Sequence, residues 1–154
     1  RRCLRARREP MIDFLRAESD DEIASTFDVM HQLRPHLQRE QYVAMVRAMQ
    51  ASDGFQLLAL RDAGQVRAVA GYRIMNILYC GRLLYLDDLV TDERARSRGH
   101  GARLLARLKD EARALGCSQL QLISHVKREG AHRFYFREGL GIECFHFRAN
   151  VTEA

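Results

Sequence analysis

The chain has 154 residues, 47% hydrophobic and 29% charged, with 25 Lys and Arg against 20 Asp and Glu for a formal net charge of +5. One domain of this size buries about 70% of its unfolded surface without metals or disulfides, which excludes a disulfide mini-protein. An ordinary apolar fraction with two prolines and no low-complexity tract excludes a disordered segment.

In chain order, the leader 1–10, RRCLRARREP, carries five Arg and one Glu. The other 144 residues then hold 20 basic and 19 acidic side chains, a net of +1. The basic leader is expected to lie outside the fold, which begins near Met11, and nucleic acid is not an expected partner. Neither an apolar signal core nor a run of ~18 apolar residues is present, so a cytoplasmic protein with no membrane contact is expected.

Alternation predicts a strand over 12–17, and the capping box Ser19-Asp20-Asp21-Glu22 opens a helix that runs to about Arg34, before Pro35. A second helix reads from about Leu37 to Gln50, with Tyr42, Val43, Val46 and Met49 near one face. Strands over 55–61, 65–78 and 82–91, separated by Asp62-Ala63-Gly64 and Cys80-Gly81, read as hairpins. From Gly99 the period lengthens: Ala102, Leu105, Leu108, Ala112 and Leu115 predict a helix stopped at Gly116. A strand over 118–124, a short helix over 130–138 ended by Gly139, and a last strand over 142–148 complete the order β-α-α-β-β-β-α-β-α-β. The expectation is one α/β domain, a mixed and mostly antiparallel sheet flanked by about four helices. Cys3, Cys80, Cys117 and Cys144 are widely spaced, as suits reduced, buried thiols.

The chemistry gathers where the third hairpin strand meets the long helix. Arg96-Ser97-Arg98-Gly99-His100-Gly101-Ala102 sets two glycines and two arginines at a helix N-terminus, where free N–H groups and the dipole favour an anion. No Gly-Lys-Ser/Thr follows, so this is not a P-loop, and G-x-G lacks the third glycine of a dinucleotide fingerprint.

The run YLDDLVTDERARSRGHGARLL resembles the acetyl-CoA-binding motif of the GNAT superfamily of N-acetyltransferases, R/Q-x-x-G-x-G/A, here met by Arg96, Gly99 and Gly101. A second block, LISHVKREGAHRFYFREGLGIECFHFRAN, is similar to the superfamily's downstream strand, helix and strand. Ala131, Phe134, Tyr135 and Gly139 fill its A-x-x-F-Y-x-x-x-G motif, and VKREGAHRFYFREG is most similar to the aminoalkylphosphonate N-acetyltransferases.

That resemblance implies acetyl-CoA as co-substrate and a small-molecule amine as acceptor, such as an aminoalkylphosphonate or a polyamine. The pyrophosphate would rest on the backbone from Ser97 to Ala102, through His100 and Gly101, with Arg96 and Arg98 nearby. Pantetheine would pair with Leu89, Val90 and Thr91 like an added strand. An alkylammonium with a pKa near ~10 must lose a proton before it attacks, and Asp88 stands where relatives carry a base. Amine recognition or strand-end solvation are the other readings of Asp88, and a bulge would bring Asp87 into play. Tyr135 matches the family's general acid for the departing thiolate, with core packing as the competing reading. No cysteine sits at a nucleophile position, so direct transfer in a ternary complex is implied.

Arg128 stands where many relatives carry Asn. With Lys127 and His132 it fits either an acidic substrate group or plain surface. The six histidines share no metal-ligand spacing, so no metal is expected. A protein N-terminal or lysine acceptor and a non-catalytic acyl-CoA-binding module stay open, as does a homodimer through the last strand.

Overall fold

The computed structural model describes residues 11–152, so the leader and its expected independence from the fold lie outside them. The chain divides into two compact units, one ending at Gln121 and one beginning at Leu122.

In the first unit the elements are β1 (Ile12–Arg16), α1 (Asp20–Ser25), α2 (Phe27–Leu33), α3 (Arg39–Asp53), β2 (Gln56–Asp62), β3 (Gln65–Ile77), β4 (Gly81–Thr91), a 3-10 turn (Glu93–Ala95) and α4 (His100–Ala114). β5 (Gln119–Leu122) completes a sheet of order β1-β2-β3-β4-β5. The first three pairings are antiparallel. β5 starts beside the start of β4, with Ser118 donating its N–H to the Arg82 carbonyl at 2.8 Å. The two strands run the same way, joined by α4 as a crossover, and the sheet is mixed as expected.

Residues 57–60 of β2 are all buried, which requires cover on both faces of the sheet. Leu57 and Ala59 join Ile23, Phe27, Met30, Tyr42 and Val46 in one core. Leu58 and Leu60 point to the opposite face by strand alternation, the side left for the buried stripe Leu104, Leu105, Leu108 and Ala112 of α4.

Three expectations are corrected. The helix expected over 19–34 is two helices, broken at Thr26, so the described residues hold five α-helices rather than about four. The buried Thr26 hydroxyl donates to the Ile23 carbonyl at 2.7 Å and meets the Tyr42 hydroxyl at 2.9 Å, a local bond that competes with helix continuity. The strand expected over 142–148 does not form: in the second unit, α5 (Glu129–Arg137) is followed by residues without regular structure, and Phe145 and Phe147 are exposed. A strand needs an edge to pair with, which period-2 patterning cannot supply. Cys80 and Cys117 are half-buried and Cys144 is exposed, so these thiols are free but not buried.

Candidate active site

β4 is irregular where its two aspartates lie. Gly71 of β3 faces Asp88 and Tyr72 faces Leu86, which leaves Asp87 as the extra residue of a β-bulge. Asp87 accepts from Arg73 Nε at 2.9 Å; burial pushes its carboxyl up, and Arg73 offsets part of that. Asp88 accepts from Arg34 Nε, just past α2, at 2.7 Å. A Cβ on Gly71 would lie 2.9 Å from Asp88 Oδ2 and 2.6 Å from Phe55 Cζ. The absence of a side chain at Gly71 is what lets the aspartate and the ring meet over β3.

Asp88 borders a cleft of about 290 Å³. Its walls come from the buried Tyr42 and Val46 and the half-buried Met49 of α3, with Met45 beside them, and from Met30 and Phe55; Arg34 and His36 join Asp88 at the polar part. The Tyr42 hydroxyl is held by Thr26, and burial raises it to about 12, so it stays a neutral wall.

The loop before α4 has Ser97 at φ 64° and Gly99 at φ 76°, both left-handed. The first bond into α4 runs from Arg103 N–H to the Gly99 carbonyl at 3.0 Å, so the amides of His100, Gly101 and Ala102 precede the helical ladder. No side chain caps them and no acid stands in the first turn, whereas α1 has a full capping box and three acids. A Cβ on Gly99 would meet nothing within 4 Å, and Arg96 and Arg98 are exposed. These features fit an anion such as a pyrophosphate.

Leu89, Val90 and Thr91 pair with Ala70, Val69 and Ala68 on one edge of β4. β5 has four residues against eleven in β4 and starts beside Arg82, so the far half of β4's other edge has no strand partner among the described residues. In the second unit, Tyr135 is half-buried on α5, its ring edge-on to Phe134 at 5.4 Å. Burial pushes its phenol up, opposed by Arg128.

The profile of the acetyltransferase (GNAT) family matches residues 10–142. The chain belongs to that family. It is 34% identical over 142 residues to the uncharacterized N-acetyltransferase YhdJ of Bacillus subtilis, covering 92% of this chain and 100% of that protein. It is 32% identical over 90 residues to the aminoalkylphosphonate N-acetyltransferase of Salmonella typhimurium, covering 58% of each chain. Among solved structures, an aminoglycoside N-acetyltransferase, AAC(6')-Iy in complex with CoA, superposes with a TM-score of 0.81 at 14% identity, over 96% of this chain and 99% of that one, which shows a shared fold.

Several residues that shape the candidate site of this acetyltransferase were not singled out from sequence. Arg34 and Gly71 reach Asp88 only through tertiary contacts across 54 and 17 positions. Asp92 is buried and ties the loop before α4 to the body: it accepts from Gln32 at 3.2 Å, Arg67 at 2.9 Å and the Arg94 N–H at 3.2 Å. Burial raises its pKa, but the bonds from Gln32, Arg94 and Arg67 outweigh that and bring it down to about 2. An Asp one residue past a predicted strand and before a turn is the only sequence signal for it.

Proposed function

We propose that this acetyltransferase carries the acetyl group of acetyl-CoA to the primary amine of a small molecule, by direct attack in a ternary complex. The carrying observation is Asp88: a carboxylate at the border of a small cleft, on the strand whose following residues have one edge without a strand partner among the described residues. A cleft of about 290 Å³ is at the lower end of ligand pockets, which favours a small acceptor over a protein segment. Aminoalkylphosphonates, named for the Salmonella relative, and polyamines belong to this class.

Acetyl-CoA supplies an acetyl group activated as a thioester. The amides of His100, Gly101 and Ala102, with those of Ser97 to Gly99 and the Arg96 and Arg98 side chains, hold its pyrophosphate. Backbone groups of Leu89, Val90 and Thr91 pair with pantetheine and steady the thioester oxygen. Asp88 takes the ammonium proton, directly or through water, and the freed nitrogen forms the new C–N bond as the C–S bond breaks. Tyr135, kept protonated by its raised pKa, gives its proton to the thiolate, and the second proton that the nitrogen sheds on becoming an amide restores it.

The test is thiol release with an amine panel, with the acetylated product identified by mass spectrometry. Asp88→Asn and Tyr135→Phe are each expected to lower kcat by about 10²–10⁴-fold. Unchanged turnover in both contradicts the assigned roles, and thiol release with no acetylated amine contradicts the reaction. We also propose a homodimer, supported by the exposed Ile142, Phe145 and Phe147; a single-chain mass by light scattering contradicts it.

A further inference from the structure

Resting on the acyl-transfer reading above, we infer that the acceptor is a free α-amino acid with an apolar side chain, of the size of leucine, methionine or phenylalanine. Two features of the same cleft carry this, and neither follows from membership of the family.

The first is the composition of the walls. Met30, Leu37, Met45, Met49, Phe55 and Leu57 line a space of about 290 Å³. Burial of apolar substrate surface is the main attraction such walls offer. A polyamine or a short aminoalkylphosphonate brings little apolar surface to them and would surrender hydration. Methionines also adapt their shape, so the cleft tolerates both branched and aromatic side chains of similar size.

The second is the charge at the polar part. Asp88 and Arg34 stand together, the carboxylate Oδ1 2.7 Å from the guanidinium Nε. A lone ammonium ligand meets Asp88 but also the positive Arg34 beside it. A zwitterion satisfies both, because an α-amino acid carries its ammonium and carboxylate on one carbon. Arg34 uses Nε on Asp88 and offers Nη2 to the Asp87 carbonyl at a long 3.4 Å. Those two bonds engage two of its five N–H groups and leave donors for a substrate carboxylate. Its side chain is 44% exposed and that of Asp88 15%, so a ligand in the cleft can reach the guanidinium.

In this arrangement Arg34 takes the α-carboxylate, the apolar walls take the side chain, and Asp88 takes the proton of the α-ammonium. The α-nitrogen then forms a bond to the acetyl carbon and sheds its second proton as the C–S bond breaks, which balances the proton that the thiolate receives from Tyr135. The products are an N-acetyl amino acid, CoA with a free thiol, and one proton released to solvent from Asp88.

The experiment measures kcat/KM by thiol release for L-leucine, L-methionine and L-phenylalanine. Isoamylamine, which is leucine without its carboxylate, is run beside glycine, aminoethylphosphonate and spermidine. The full chain and its Arg34→Gln variant are compared, and calorimetry of L-leucine into protein saturated with CoA reads binding without turnover. Apolar amino acids are expected to exceed every other amine by at least about tenfold. Arg34→Gln, which also removes the ion-pair partner of Asp88 and so alters the rate with every amine, is expected to lower kcat/KM for leucine by about 10- to 100-fold more than for isoamylamine, the loss of one charge-assisted hydrogen-bonded contact. The leucine-to-isoamylamine ratio cancels the effect on Asp88, and circular dichroism confirms that the variant is folded.

Preference for aminoethylphosphonate, spermidine or glycine overturns the inference while the acetyltransferase reading stands. Equal loss on leucine and isoamylamine in Arg34→Gln also overturns it. If no amine is turned over, that reading fails and calorimetry decides: leucine binding that Arg34→Gln abolishes supports the amino-acid site, and no leucine binding overturns it.

Discussion

Gly71 and Asp88 face each other across β3 and β4, and the space a side chain would need at Gly71 is occupied by the Asp88 carboxylate and the Phe55 ring. Gly71→Ala therefore forces the buried Phe55 ring and the Asp88 carboxylate aside, since the ring lies 2.6 Å from the added carbon. Overpacking of this kind costs about 1–3 kcal/mol. The expected outcome is a melting temperature lower by several degrees with kcat/KM reduced at least as much as for a remote core variant of equal stability. An unchanged melt and unchanged activity contradict the close approach.

Asp92 makes stability depend on acid. Its carboxyl is brought from 3.8 to about 2 in the folded chain, so its stabilisation is fully present above pH 4 and is lost as pH falls through about 2. The shift corresponds to about 2 kcal/mol. Urea midpoints between pH 5 and pH 2 are expected to fall more steeply for the natural chain than for Asp92→Asn, which begins less stable because its amide cannot pair with Arg67 in the same way. Parallel curves for the two contradict the assignment.

His100, the first residue of α4, is buried and neither ring nitrogen has a hydrogen-bond partner among the described residues. Burial lowers its pKa from 6.5, with Asp62 at 3.8 Å opposing and Arg103, Arg98 and Arg67 reinforcing. A histidine held neutral in the fold but free to ionise when unfolded stabilises above pH 6.5, and that contribution falls away as pH drops below it. His100→Leu is expected to flatten the pH dependence of the melt between pH 6.5 and 5. A variant that retains the full slope contradicts the role.

Glu111 on α4 is buried against Arg16 of β1, at 2.6 Å, and also accepts from the Tyr72 hydroxyl, so one carboxylate joins three elements. Arg16 donates in turn to Tyr72 at 2.8 Å. Removing one partner of a buried pair costs about 3–5 kcal/mol, and the partial exposure of Arg16 reduces this to about 2–3 for Glu111→Ala. Glu111→Gln keeps an acceptor for Tyr72 and is expected to cost less, as read by urea unfolding; equal costs contradict the charge-assisted account.

The legible parts of the chain were those whose signal is local. The stripe of α4 and its glycine punctuation at 99 and 116 placed that helix within two residues of its ends, because periodicity and left-handed caps are written in consecutive positions. The break at Thr26 was not legible: the competing bond to the Ile23 carbonyl is local, but the Tyr42 hydroxyl that also meets Thr26 lies sixteen residues away. Asp88 was found through its strand and the motif beside it, whereas Arg34 and Gly71 were not, because their part in the site exists only once α2 and β3 are packed against β4. The last strand failed because an apolar segment such as Ile142 to Phe147 reads as extended chain, but its sequence does not supply a partner edge.

The central claim is that the loop before α4 holds acetyl-CoA for transfer to an amine. Its most direct test is a calorimetric titration of acetyl-CoA into the natural chain and into Gly99→Trp, with circular dichroism confirming that both are folded. The account predicts saturable micromolar binding to the natural chain and its loss in Gly99→Trp, where a large side chain enters the open space at the helix N-terminus. No heat with the natural chain at near-millimolar acetyl-CoA, or equal binding by the two proteins, would contradict it.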